Sequence, residues 1–469
     1  MSEVRQEKDM LGTLEVPAKA LYGIHTVRAL QNFKIAGRPV HKSLIRAFGQ
    51  VKLACARVNY NLDCLDKKVF AALEKACLEM VAGELDEHVV VDALHGGAGT
   101  SLNMNVNEVL ANRALQIMGE NLGSYGLIHP IDHVNLHQST NDTFPTALKV
   151  AAIDLSKELE EELAGLFTAL QQKEQEFAHI VKVGRTQYQD AVPTTLGREM
   201  GAYAQAFSRD RWRIFKCSER LRVVNLGGTA IGTGLGAPRQ FIFQVAEELR
   251  RITGFGLARA EDLVDATQNT DAFPETAGYL KTVAVNLMKV AGDFRLLSSG
   301  PKAGIGELLL PRRQAGSSIM PAKVNPVIPE AVQQAAMKVM SLDSVLSLAC
   351  GMGSLELNAF MPLIADSLLN SVSLLTRAVH SFNKDCIVEL RANEEVCKRY
   401  VFETTAIATI LVDELGYAKV QEIVALAEKE ERSLEEQVLA MELMTEEEFS
   451  HLLSAERVCR LGSPVKDGM

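Results

Sequence analysis

Within Ala315–Pro326 (AGSSIMPAKVNP) the chain sets a glycine, adjacent hydroxyls at Ser317 and Ser318, a proline, a cation at Lys323 and an amide at Asn325. Asn325 is a favoured N-cap type and Pro326 a favoured first helical residue, so the spacing predicts a loop that ends on the positive pole of a helix. Such a pole with Lys323 beside it is an anion site. A serine held against an ammonium group and backbone amides is pushed towards its alkoxide, as a serine base requires. On these residues alone, a polar surface loop with an ordinary cap is the alternative.

Three further loops follow the same plan. Gly96–Ser101 (GGAGTS) carries Thr100 at its tip. It lacks the lysine of a P-loop and the strand and acidic residue of a dinucleotide fingerprint, so it reads as glycines that let the backbone approach a ligand. Gln138–Pro145 (QSTNDTFP) has more capping types than one helix uses, which frees some of Ser139, Thr140 and Asn141 for another task. Thr186 and Gln187 lie in a run, Gly184–Asp190, expected to be a loop that gives way near Pro193 to a long helix.

Gathered in one cleft, these loops offer helix N-termini, several hydroxyls and one lysine, with no metal ligands in evidence. That suits a small, doubly anionic, polar molecule. The chemistry it favours is proton abstraction beside a carboxylate, because preorganised donors stabilise the second negative charge that develops on the carboxylate oxygens. Two other pairs carry less. His25 and Arg28 meet either an acidic ligand or a neighbouring carboxylate. His133 and His137 have helical spacing for a metal but no third ligand, and read as ordinary polar residues.

The elements that must position these groups are helical. Thr146–Ile180, Thr195–Val224, Glu275–Leu297, Pro326–Leu348 and Leu355–Phe382 each run about 23 to 35 residues, against a usual helix of about 11 to 12. Their apolar faces are wide, as in Val283, Ala284, Leu287, Met288, Val290 and Ala291, and such girth is buried more readily in an oligomeric bundle than in a monomer. Lys42–Met80 also has helical periodicity, the first fifteen or so residues read as an arm, and the acidic tail reads as short solvated helices.

Size and composition set the outer bounds. The 469 residues, 47% hydrophobic, suffice for two or three domains. A net charge of −10 without a basic run argues against nucleic acid or an anionic membrane as partner. Eight cysteines scattered without a CxxC pair read as reduced thiols, and neither a signal peptide nor a membrane-length apolar run is present, so a soluble cytoplasmic protein is expected.

Gly316–Pro326 (GSSIMPAKVNP) resembles the signature loop of the aspartase/fumarase superfamily, whose members release fumarate by eliminating an amine or water from a succinyl compound. The resemblance covers nearly the whole chain: Gly97–Asn105 (GAGTSLNMN), Gln138–Thr146 (QSTNDTFPT), Gly184–Gln187 (GRTQ) and Leu226–Leu235 (LGGTAIGTGL) follow in the family's order. Within it, Tyr22–Phe33 (YGIHTVRALQNF), Val264–Phe273 (VDATQNTDAF) and Pro321–Glu330 (PAKVNPVIPE) are similar to the aspartate ammonia-lyase branch. Gln187 stands where class II fumarases and some aspartases have histidine and other aspartases have glutamine.

The resemblance implies an all-α, mainly helical fold of three domains, here 1–139, 140–393 and 394–469. A central long five-helix bundle would form a twenty-helix core in a homotetramer, each active site taking loops from three subunits. It implies Ser317 as the base that takes the proton beside the amine-bearing carbon. Ser318, Thr100, Ser139 and Thr140 would hold the carboxylate that becomes the aci-carboxylate. Lys323, Thr186 and Asn325 would bind the other carboxylate with Gln187 nearby, and Asn141 would contact the amino group. No cofactor is implied as required, and activation by a divalent cation such as Mg is left open. A fumarate hydratase, or a lyase for a larger amino-linked succinate, is the alternative activity. The turn His129–Asp132 (HPID) lacks the asparagine of a fumarase second anion pocket, and Ala408–Tyr417 (ATILVDELGY) lacks the Leu-Asn-Pro run expected before Gly416.

Overall fold

A computed structural model describes residues 3–462; the outermost ends of the expected arm and of the first and last domains lie outside the described residues. The protein is mainly helical, and among the described residues the strands form only two-stranded sheets. The five long helices run Thr140–Glu176, Leu196–Leu221, Ala272–Leu297, Val327–Gly351 and Met361–Phe382. The last begins six residues later than the periodicity predicts, because Asn358 turns its side chain back onto the carbonyls of Ala349 and Cys350 at 3.0 and 3.1 Å and holds a turn there. No helix among the described residues is long and apolar enough to cross a membrane.

The chain divides into two compact units. The first comprises the residues up to Glu160, Trp212–Ala284 and Met337–Thr376. Its N-terminal stretch is not an arm but an antiparallel hairpin, Val4–Asp9 with Gly12–Pro17. Arg28 forks onto both oxygens of Asp9 at 2.7 Å, so of the two readings of His25 and Arg28 the neighbouring carboxylate is the one realised for Arg28. Helices Lys42–Asn61 and Lys67–Ala82 pack beside Thr100–Met118. Buried Phe48 meets Phe144 edge to face, 5.7 Å between ring centres. Gly99, at φ +98°, lies so close to Phe144 that any Cβ would run into the ring, so internal packing and a left-handed entry to the helix both require glycine here.

The second unit comprises Glu161–Arg211, Val285–Ala336 and the residues from Arg377 on. Asn286 donates to both oxygens of Asp210 at 3.0 and 2.8 Å, Tyr203 donates to Asp293 at 2.8 Å, and Phe294 packs edge to face on Phe382. The expected loop at Gly184–Asp190 is instead part of a hairpin, Val181–Thr186 with Gln189–Thr195. It turns at Gln187 and Tyr188, which both take positive φ (53° and 62°), the conformation a two-residue turn between twisted strands requires. At its base Lys182, 2% exposed at the side chain, lies 2.7 Å from both Glu199 and Glu307, while Arg185 reaches the other oxygen of Glu307 at 2.8 Å. The acidic tail is more than solvated helices: Leu411, Ile423, Val438 and Phe449 close a core onto Val183.

Candidate active site

In the first unit Ser139 caps the helix Thr140–Glu176. Its Oγ accepts from the Asn141 amide at 3.2 Å, and Asp142 returns an oxygen to the Ser139 amide at 3.0 Å. The other Asp142 oxygen accepts from the amides of Gly227 and Thr229 at 3.1 and 2.9 Å, which pins the glycine-rich run Leu226–Leu235 over this helix start. Burial pushes the Asp142 carboxyl up to about 7, against the opposing pull of those amides and of Lys52. Asn141 donates to the Ala230 carbonyl at 2.7 Å and has its own carbonyl held by Asn225 at 3.0 Å. Thr140 and Asn141 then line a pocket of about 130 Å³ walled by Lys149, Arg220, Asp271 and Asn358. Lys149 donates to the Val223 carbonyl at 2.7 Å, and burial draws its ammonium down to about 8. Thr100 is the exposed first residue of its helix rather than a loop tip.

In the second unit the run Gly316–Asn325 is a closed loop. The Gly316 amide donates to the Lys323 carbonyl at 2.7 Å, and the Asn325 side chain donates to the Gly316 carbonyl at 2.9 Å. A Cβ on Gly316 would lie 2.7 Å from the Lys323 carbonyl oxygen, so only glycine fits this closure. Asn325 therefore staples the loop and does not cap the helix Val327–Gly351. The first helical acceptor is the Pro326 carbonyl, which takes the Glu330 amide at 3.2 Å, so Pro326 stands one place outside its expected position. The expected helix pole is nevertheless present.

Inside that loop Ser317 Oγ accepts from the amides of Ile319 and Met320 at 3.2 and 3.0 Å. Donors aimed at a hydroxyl oxygen favour its alkoxide over its neutral form, which is the electrostatic condition for a serine base. Lys323, on the same loop, is exposed and Ser318 is half-buried; Thr186 and Gln187, at the end of their own hairpin, are exposed as well.

A family profile described as "Lyase" matches residues 12–341, and a second, "Fumarase C C-terminus", matches residues 407–460. The chain belongs to the aspartase/fumarase superfamily. Relatives in it include the aspartate ammonia-lyases of a Bacillus species (43% identical, 97% of both chains covered) and of Bacillus subtilis strain 168 (41%, 99% of this chain and 98% of that one). That of Escherichia coli strain K12 is 41% identical over 97% of this chain and 96% of its own. Similar crystal structures are a fumarate lyase:delta crystallin from Brucella melitensis bound to cobalt (TM-score 0.94, 42% identical, 98% of this chain and 100% of that one) and a class II fumarase from Schistosoma mansoni (TM-score 0.91, 32% identical, 97% and 99%).

Of the superfamily motifs, the structure brings Ser139, Thr140 and Asn141 together at one helix start and Ser317, Ser318, Lys323 and Asn325 onto one closed loop. Other residues that organise these motifs were not anticipated. Asp142 and Asn225 fix Asn141 and the glycine-rich run, and Lys52, Asn103 and Asn135 form a buried polar chain behind Thr140. The available signal was the recurrence of amides at Asn103, Asn105, Asn107 and Asn112 on a helix whose other residues are mostly apolar. Nδ1 of His133 accepts from the His129 amide at 2.9 Å, and Nδ1 of His137 lies 2.7 Å from Asn59 Oδ1.

Proposed function

We propose that this protein is an aspartate ammonia-lyase, which converts L-aspartate reversibly to fumarate and ammonia. Ser317, as its alkoxide, takes a proton from Cβ. The electron pair left on that carbon moves into the neighbouring carboxylate to give an aci-carboxylate, then returns to form the carbon–carbon double bond as the Cα–N bond breaks and ammonia leaves. The observation that carries the reading is the pair of amides on Ser317 Oγ, in a chain whose full-length relatives bear this activity in their names.

The remaining roles are assigned on the same basis. Ser318, Thr100, Ser139 and Thr140 hold the carboxylate that becomes doubly charged; Lys323, Thr186 and Asn325 hold the other, with Gln187 near it. Asn141 spends an N–H on Ala230, which leaves its Oδ1 as the acceptor for the substrate ammonium group. Elimination involves no redox change, so no cofactor is required in this scheme, and a divalent cation such as Mg enters only as an activator. We place the enzyme in the cytoplasm, in keeping with eight free thiols, and as a homotetramer whose active sites each draw on three subunits.

The direct test is the ultraviolet absorbance of fumarate on mixing the protein with L-aspartate and, separately, with L-malate. Turnover of L-aspartate alone is expected; turnover of L-malate alone would replace the assignment with a hydratase. Ser317→Ala should reduce kcat by several orders of magnitude while succinate still binds. Near-normal turnover in that variant would remove Ser317 as the base.

A further inference from the structure

Behind Thr140 lies a chain of side chains whose hydrogen-bond directions are fixed from one end. Lys52 is 1% exposed, and an ammonium group can only donate. Its Nζ meets Asn135 Oδ1 at 3.0 Å and Gln138 Oε1 at 2.9 Å, so both atoms are oxygens and neither amide can flip. Asn135 Oδ1 also accepts from Asn103 Nδ2 at 3.0 Å and from Asn107 Nδ2 at 3.2 Å. Asn103 must therefore present its nitrogen on that side. The second N–H of the same nitrogen is directed at Thr140 Oγ1, 3.1 Å away.

The consequence falls on Thr140. A hydroxyl has one proton and two lone pairs, and here the protein occupies the acceptor side. Among the described residues no protein acceptor takes the Thr140 proton, while Thr140 itself lines the pocket of about 130 Å³. The hydroxyl is thus set to donate into the pocket. If the amide of Asn103 were reversed, Thr140 would donate to Asn103 and turn a lone pair towards an anionic ligand.

We infer that Lys52 is a positioning residue that acts through Asn135 and Asn103 to fix the Thr140 hydroxyl as a hydrogen-bond donor to the substrate carboxylate that becomes the aci-carboxylate. This rests on the assignment of Thr140 as a carboxylate ligand. A donor held towards the oxygen where charge develops contributes most in the transition state, so its loss lowers kcat more than it weakens ground-state binding.

Lys52→Met removes the end of the chain but leaves buried amides unsatisfied, and that variant can fail to fold. Asn103→Asp leaves Lys52 and its two partners in place, keeps the side-chain shape and replaces the nitrogen facing Thr140 with an oxygen; that oxygen also faces Asn135 Oδ1, so Tm and circular dichroism of the variant are measured beside its kinetics. The expected result is a fall in kcat on the order of 100-fold. The inhibition constant for succinate, a saturated dicarboxylate, should move by less than about threefold. Thr140→Val measures the hydroxyl itself, and Asn103→Asp in the Thr140→Val background closes the cycle. A relay through Thr140 predicts that Asn103→Asp does little more once the hydroxyl is gone, whereas a merely structural role predicts additive losses. Additive losses, or unchanged kcat in Asn103→Asp alone, overturn the inference. Unchanged kcat in Thr140→Val overturns the ligand assignment beneath it.

Discussion

Asp142 is fully buried yet accepts from the amides of Ser139, Gly227 and Thr229, so it ties the cap of one helix to the glycine-rich run that holds Asn141. Burial raises its pKa from the ordinary 3.8 to about 7. The folded protein then holds this proton more tightly than the unfolded chain. The resulting stabilisation is complete below the unfolded value and is lost as pH rises through about 7, at about 1.4 kcal/mol for each pH unit between the two. Asp142→Asn cannot titrate, and it sets an NH₂ group against at least one of the three amides, a clash of about 1–3 kcal/mol. Urea midpoints of the two proteins from pH 4 to pH 8 should show the wild type losing ground relative to the variant up to pH 7. Parallel curves would mean that Asp142 is ionised throughout.

At the scale of elements, the hairpin Val181–Thr195 is held at its base by charges that come from far along the chain. Glu307, fully buried, serves both Lys182 and Arg185. Burial pulls the Lys182 ammonium down, but Glu199 and Glu307 outweigh it and hold the group above its ordinary range. Removing one partner of such a pair leaves a buried charge unmatched, so Glu307→Ala should cost about 3–5 kcal/mol and lower Tm, with Glu307→Gln milder. A change of Tm no larger than that of a surface substitution would show that Lys182 gains water in the variant. The same hairpin shows why sequence reading failed here. Gln187 and Tyr188 are not the glycine or asparagine that announce a tight turn, and the hairpin is anchored by Glu307, which lies 122 residues beyond its partner Arg185. The long helices were legible because each carries its own apolar periodicity. The hydroxyl loops were legible because each is contiguous. Lys52 was not, since it acts through Asn135, 83 residues further on, and an isolated lysine in a helix carries no mark of burial.

At the scale of the molecule, the long helices still show apolar side chains to solvent. Leu348 is 72% exposed and Met352, just past the helix Val327–Gly351, 61% exposed; Met337, Val345, Val285 and Leu296 are exposed along the same set of helices. Single exposed apolar residues are common, but a series along helices of 25 and 26 residues is what a helical interface between subunits leaves uncovered in one chain. In a monomer Leu348→Lys would alter stability by about 0.5 kcal/mol or less. In the proposed tetramer it buries a charge in an apolar seam, so sedimentation should show smaller species at concentrations where the wild type stays assembled. If each active site draws on three subunits, L-aspartate turnover should fall in step with that dissociation and recover as protein concentration rises. Full activity in a dispersed Leu348→Lys protein would place every catalytic group within one chain.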